Sequence, residues 1–255
     1  MAQCYRNRWS NKVGIHIPWK GYFDLINMVD EFILYDDMQY TKRDWRNRNI
    51  IKTVNGLQWL TIPVEVKGKY SQKINETKIS DKTWTKRHWK TITHNYSKAS
   101  YFKQHSGYFE ELYLNCVNED YLSRVNFKFL QGICAFLNIN TRISWSSDYL
   151  IDERLKKTER LIDLCQKTKA THYLSGPSAQ AYIQANLFEA AGIEISYADY
   201  SGYLPYSQLF GKFEHGVSIL DLILNMGSEA HLYLKSSPKG AINKNAVGEN
   251  FIRAG

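Results

Sequence analysis

The sequence predicts an α/β fold: a mainly parallel sheet with flanking helices, a β-hairpin excursion and a helical insert. Three patterns predict it. Early in the chain a short apolar run, a Pro/Gly turn, a helically spaced segment and a second apolar run follow within about 25 residues, the order of a βαβ unit. An Asn-Gly pair then separates two strand-like runs, the strongest short hairpin signal. From Arg142 onward, strand-like and helix-like segments alternate again.

The elements follow in order. Val13 to Ile17 reads as a buried strand, broken by Pro18-Trp19-Lys20-Gly21. Tyr22 to Val29 is helical, with Phe23, Leu25, Ile26 and Val29 on neighbouring rows, and Glu31 to Tyr35 is the second strand. Arg48 to Lys52 and Gln58 to Val66 are the arms of the hairpin, with Pro63 at an edge or strand end, and Lys67 to Lys73 is a loop. Asp81 to Cys116 reads as one long helical stretch, in which Trp84, His88, Ile92 and Tyr96 form a stripe on one face. Tyr121 to Leu137 is a further helix, with Val125, Phe129, Ile133 and Phe136 inward. Arg142–Trp145, Thr171–Leu174 and Ile193–Tyr197 are strands, and Asp152–Thr168, Ser178–Ala191 and His215–Met226 are helices, the last two capped by Gly192 and Gly227. The expected organisation is a single α/β domain over residues 1–236, with the insert at about 81–138 and a weakly ordered tail over 237–255.

Composition narrows the function classes. The 255 residues are 44% hydrophobic and 23% charged, with only 5 Pro and 15 Gly, which excludes a disordered or collagen-like chain. No apolar run approaches the roughly 20 residues of a membrane span, and the N-terminus lacks a signal-peptide core, so a soluble cytoplasmic protein is expected. Cys4, Cys116, Cys134 and Cys165 are scattered without zinc spacing, and the last three read as small buried hydrophobes. No Walker A, GxGxxG, HExxH, EF-hand or GxSxG pattern is present, and neither metal nor cofactor is expected. The net charge of +8 favours anionic partners, and an aromatic content of 14%, with 18 Tyr and 7 Trp, points to rings on a surface or in a cleft.

Ligands of open α/β sheets bind beyond the carboxyl ends of strands. Three segments fall there. The first is Pro18 to Tyr22, where Trp19, Gly21 and Tyr22 are candidate binding residues beside a helix N-terminus. The second begins with Asp36 and Asp37 and runs through Gln39, Tyr40, Lys42, Arg46, Asn47 and Arg48. Its carboxylates suit an ammonium or sugar hydroxyls, and Arg46 and Arg48 suit a phosphate, although Asp–Arg pairing within the loop accounts for the same residues. The third is Ser175-Gly176, where a turn and a cap also suffice. His88, among Trp84, Lys86, Arg87 and Lys90, is the candidate general base, a partly buried structural histidine being the plainer reading. Aromatics interleaved with cations fit single-stranded nucleic acid or a nucleotide-sugar, and Asp36 and Asp37 favour the metabolite.

These segments resemble the WbqC-like protein family of bacteria. The resemblance rests on IPWKGYFDLI (Ile17–Ile26), LYDDMQYTKRDWRNRNII (Leu34–Ile51), WLTIPV (Trp59–Val64), WTKRH (Trp84–His88), YLSGPSAQAYI (Tyr173–Ile183) and SILDLILNMG (Ser218–Gly227). Where the family usually carries a Gln-Pro-x-Tyr-like segment, this chain has Val13-Gly14-Ile15-His16-Ile17. The resemblance implies a role in O-antigen (lipopolysaccharide) or other surface-polysaccharide synthesis, as a transferase moving an aminoacyl or acyl group onto the amine of a nucleotide-linked amino sugar. In that chemistry Asp36 or Asp37 is expected to bind the sugar ammonium and His88 to act as base. Lys42, Arg46 and Arg48 are expected to hold the diphosphate or the phosphopantetheine of an acyl carrier. The alternatives are a nucleic-acid-binding protein using the basic aromatic loop, and a non-catalytic sugar-binding or scaffold protein.

Overall fold

The computed structural model describes residues 8–12, 14–152 and 154–237. In chain order its elements are β1 (Arg8–Lys12), α1 (Lys20–Asn27), β2 (Glu31–Leu34), β3 (Arg48–Thr53), β4 (Gly56–Thr61), α2 (Trp84–Tyr96), α3 (Phe102–Leu114), α4 (Leu122–Phe136), β5 (Arg142–Trp145), α5 (Lys157–Lys167), β6 (His172–Ser175), α6 (Ala185–Ala190), β7 (Glu194–Tyr197) and α7 (Ile219–Met226). The mixed α/β fold is the one the sequence predicts.

Five strands form one sheet in the order β5-β2-β1-β6-β7, and every pairing in it is parallel. The chain starts at the centre, builds outward through β2 and β5, then crosses to the other side through β6 and β7. The direction of winding reverses between β1 and β6, the place where such sheets leave a crevice at their carboxyl edge. Alternate residues of β2 face opposite sides: Phe32 and Leu34 enter the larger core with α1, α2, α4 and α7, whereas Ile33 joins Leu161, Leu164 and Phe188 of α5 and α6. The two-stranded sheet β3-β4 stands apart, paired in antiparallel register from Arg48↔Thr61 to Thr53↔Gly56. Its turn bends before the glycine: Gly56 takes φ +99°, a conformation that glycine adopts without strain. No helix among the described residues is long and apolar enough to cross a membrane.

Several expected boundaries are corrected. The first strand is Arg8–Lys12, and Gly14 to Ile17 form the loop at its carboxyl end. Val13 lies outside the described residues, as does the tail beyond Ser237. Ile17 is buried and Gly14 and Ile15 are half-buried, without strand pairing. The stretch from Asp81 to Cys116 is two helices, because the chain turns at Ser97–Tyr101 and Tyr101 N donates to Leu224 O of α7 (3.1 Å). α5 starts at Lys157, five residues later than expected, since Asp152 Oδ1 accepts from Arg154 N (3.0 Å) in a local turn that competes with helix. Ser178 to Ala191 is not one helix. A 3₁₀ turn at Pro177–Ala181 precedes α6, and the Gln184 N–H between them donates to Thr158 Oγ1 (3.2 Å). α7 starts at Ile219, where Ser218 Oγ accepts from Leu220 N, and not at His215. The stripe of Trp84, His88, Ile92 and Tyr96 is buried as the period requires, and Cys116, Cys134 and Cys165 are buried free thiols.

α1 begins under the Trp19 indole, which lies flat on Gly21. A Cβ at position 21 would sit 2.3 Å from that ring. Helix propensity alone favours alanine over glycine by about 1 kcal/mol. The collision reverses the sign, so Gly21→Ala is expected to destabilise by about 1–2 kcal/mol. A fall of several degrees in Tm by calorimetry, with a change in tryptophan emission, checks it; a rise would show that the indole swings away freely.

Candidate functional site

The loop between β1 and α1 carries the most constrained backbone near the sheet's carboxyl edge. Ile17 has φ +39°, a left-handed conformation that a β-branched residue resists. Asn49 Nδ2 holds it there by donating to His16 O (2.9 Å) and Ile17 O (2.7 Å). His16 N donates to Trp45 O (3.2 Å), and Asn126 of α4 donates to Arg46 O (2.8 Å). Ile219 N, at the start of α7, donates to Pro18 O (2.9 Å), and Ser218 N donates to Ile50 O (2.8 Å). Loop, hairpin, insert and α7 are thus stitched together through backbone groups.

They enclose a cleft of about 350 Å³ lined by Ile15, Pro18, Trp19, Trp45, Asn49, His215 and Gly216. Trp45 is 41% exposed and packs on Trp59 at 5.0 Å between ring centroids, with the Arg48 guanidinium 4.1 Å from the Trp59 ring. On the facing wall Trp19 meets Tyr200 and Tyr203 edge-on at 5.1 and 5.6 Å.

Below this wall lies a buried ammonium. Lys20 Nζ donates to Leu204 O (3.2 Å) and stands 4.9, 5.2 and 5.7 Å from the rings of Tyr203, Tyr206 and Phe213. Burial pulls its pKa down to about 8, against the opposing charges of Asp24 and Asp221. Asp24 accepts from the Tyr203 hydroxyl (2.5 Å). Asp221 accepts from Tyr96 Oη, Tyr206 Oη and Gln208 Nε2, each at 2.8 Å, and burial raises its carboxyl above the usual range. Lys52 Nζ reaches the same network through Gln208 Oε1 (2.7 Å). His215 is exposed at the cleft and packs edge-on to Phe213 at 4.6 Å. Its pKa is held below the ordinary value, by partial burial first and the Lys20 charge second. At neutral pH it is therefore a neutral imidazole facing the cleft, able to accept a proton.

The residues singled out in sequence are dispersed. Trp19 lines the cleft, and Gly21 lies beneath its indole. Tyr22 is core, against Phe32 at 5.4 Å. Asp36 is buried and accepts from Ser146 Oγ (3.0 Å), Ser147 N (3.3 Å) and Ser147 Oγ (3.2 Å); burial raises its pKa against these bonds. Asp37 pairs with Arg160 of α5, whose guanidinium lies over Tyr35. Both carboxylates therefore tie the end of β2 to β5 and α5. Gln39 donates to Tyr70 O (2.9 Å), Tyr40 is buried and Lys42 is exposed. Arg46 pairs with Asp44 inside its own loop, and Arg48 donates to Arg43 O. Asn47 Nδ2 donates to Ile62 O (2.8 Å). Ser175 is buried with its hydroxyl 3.4 Å from Tyr173 Oη, and Gly176 precedes the 3₁₀ turn. His88 is 5% exposed, with Nε2 3.1 Å from Thr61 O and its ring against His16 (5.6 Å) and Trp84 (5.1 Å). Burial lowers its pKa to about 4, and Arg87 adds to the effect.

Lys20, Trp45, Asn49, His215 and Asp221 were not singled out. Lys20, Trp45 and Asn49 lie inside segments already quoted, and Asp221 interrupts the apolar run of α7, a visible sign of a buried polar group. His215 carries no such signal. It becomes notable only when α7 starts at Ile219 and leaves it in the cleft wall.

A profile of the WbqC-like protein family matches residues 15–233. An uncharacterized protein of Mycobacterium tuberculosis (strain ATCC 25618 / H37Rv), Rv1507c, is 51% identical over 220 residues, covering 86% of this chain and 94% of that protein. No solved structure matches significantly.

Two predictions follow from the loop and its buried histidines. Removing the Asn49 amide leaves two buried carbonyls unpartnered, so Asn49→Ala is expected to cost about 2–4 kcal/mol in urea denaturation. His88 has a folded pKa of about 4 against an ordinary 6.5. The unfolded chain therefore binds more protons between those values. The stability from the neutral ring is complete above about pH 6.5 and is lost as pH falls toward 4, with a slope of up to about 1.4 kcal/mol per pH unit. His88→Gln should flatten that slope in a pH series of unfolding free energies; an unchanged slope would show that the ring titrates normally.

Proposed function

The chain belongs to the WbqC-like protein family, and from that premise we propose that it is an amide-forming transferase of bacterial surface-polysaccharide biosynthesis. It moves an aminoacyl or acyl group onto the amine of a nucleotide-linked amino sugar, and the reaction takes place at the exposed His215 on the edge of the cleft between Trp19 and Trp45. The observation that carries this reading is an exposed His215 in the cleft wall, with its pKa lowered first by partial burial and then by the Lys20 charge.

The amine attacks the carbonyl of an activated acyl group. A C–N bond forms, the bond to the departing sulfur or oxygen breaks, and the amine proton passes through His215 to the leaving atom. Such proton transfer contributes about 10²–10⁴ in rate. His215 suits this role better than His88, whose ring is buried, whose Nε2 is committed to the Thr61 carbonyl and whose basicity is low. Asp37, already paired with Arg160, is not available to hold the sugar ammonium.

The test is turnover of nucleotide-linked amino sugars with an acyl thioester. His215→Ala should lower kcat by about 10²–10⁴ with KM little changed. The rising limb of the pH profile should lie below 6.5, and Lys20→Met should move it upward by removing the neighbouring charge. Full turnover in His215→Ala would remove His215 from the mechanism. A thermal shift with a single-stranded oligonucleotide and none with amino sugars would replace the reading by nucleic-acid binding.

A further inference from the structure

We propose that the cleft is a stacking site for a planar heteroaromatic ring, the base of a nucleotide carrier, stacked on Trp45 beside Trp19, with the sugar at the exposed edge where His215 stands. The inference rests on the transferase reading and deepens it by naming what the carrier presents to the protein.

Trp19, Trp45 and His215 bring rings to the lining, and Trp45 is exposed without an internal reason. Trp45 and Trp59 are each 41% exposed, although a buried indole would contribute far more to stability. They form a row, Arg48 over Trp59 at 4.1 Å and Trp59 against Trp45 at 5.0 Å, which ends at the cleft. A base stacked on Trp45 extends that row.

Inside the cleft the polar groups suit a base better than the sugar, whose amine meets His215 at the exposed edge. A pyranose needs partners for several hydroxyls. Asn49 is already committed: its Nδ2 donates to His16 O and Ile17 O, and its Oδ1 accepts from Ile50 N at 2.7 Å. What remains is mostly apolar and aromatic surface, suited to the two faces of a base. The volume of about 350 Å³ lies within the range of small-ligand sites. The left-handed Ile17 supplies an independent mark: strain held by specific hydrogen bonds clusters at binding sites, and here it sets the Pro18–Trp19 wall.

Calorimetric titration with UMP, CMP, AMP and GMP tests it, with ribose 5-phosphate, methyl glucosaminide and a short oligouridylate as controls. At least one nucleoside monophosphate should bind saturably, and roughly tenfold or more tighter than the base-free phosphate or the glycoside. Trp45→Ala should weaken that binding by about 5- to 150-fold, and Trp45→Phe should restore it to within a few-fold. Melting curves of both variants establish that they fold, as expected for a side chain at the surface. Equal affinity for ribose 5-phosphate, unchanged affinity in Trp45→Ala, no binding of any mononucleotide, or far tighter and steeply salt-dependent binding of the oligouridylate would each overturn the proposal. The two readings fail separately. Acyl transfer to an amino sugar without a nucleotide would leave the transferase and remove the base site, and Trp45-dependent nucleotide binding without acyl transfer would do the reverse.

Discussion

One side chain, Asn49, holds the backbone on which the cleft is built. Its amide grips two successive carbonyls of the β1–α1 loop, and Ile17 accepts a left-handed turn as the consequence. A strained residue of this kind costs on the order of 1–3 kcal/mol, which two buried hydrogen bonds can offset. Without that turn, Pro18 and Trp19 would not face Trp45. The same asparagine sits in β3, so the hairpin is what positions the loop at the sheet's carboxyl edge.

A second polar centre fixes the opposite side. Asp221 is buried at the first turn of α7 and accepts hydrogen bonds from Tyr96 of α2 and from Tyr206 and Gln208 of the segment before α7. A buried carboxylate is costly unless it is satisfied, and three donors satisfy this one. The arrangement locks the helical insert and α7 around Lys20, whose charge is stabilised by rings and by Asp24 and Asp221 and adds to the effect of burial in lowering the pKa of His215.

The aromatic excess divides into three settings. Around Trp84, the rings of His16, His88, Tyr113 and Phe129 interlock edge-to-face as core. Around Lys20, tyrosines and Phe213 form a box for a cation. Trp45 and Trp59 stand at the surface. Composition alone anticipates rings in a cleft and does not separate these uses.

The sequence by itself determined the fold class, the βαβ start, the hairpin at Asn55-Gly56, the buried stripe of α2 and the family, because each is written in local periodicity, turn chemistry or contiguous motifs. It placed three candidate segments beyond the carboxyl ends of strands, and two of them, after β1 and before β3, do supply walls of the cleft. It misjudged where apolar runs pair and where they merely pack, as at Ile15–Ile17, since an apolar residue looks the same in both cases. It also could not tell which polar residues face a ligand. Asp36, Asp37 and His88 look reactive in one dimension, yet their partners (Ser146, Arg160 and the Thr61 carbonyl) are distant in sequence or on another element. His215 looks ordinary, yet the chain delivers it to the cleft that Trp19 also lines. Only the tertiary structure decided these roles, because hydrogen-bond commitment, burial and the field of a neighbouring charge are properties of contacts between distant segments.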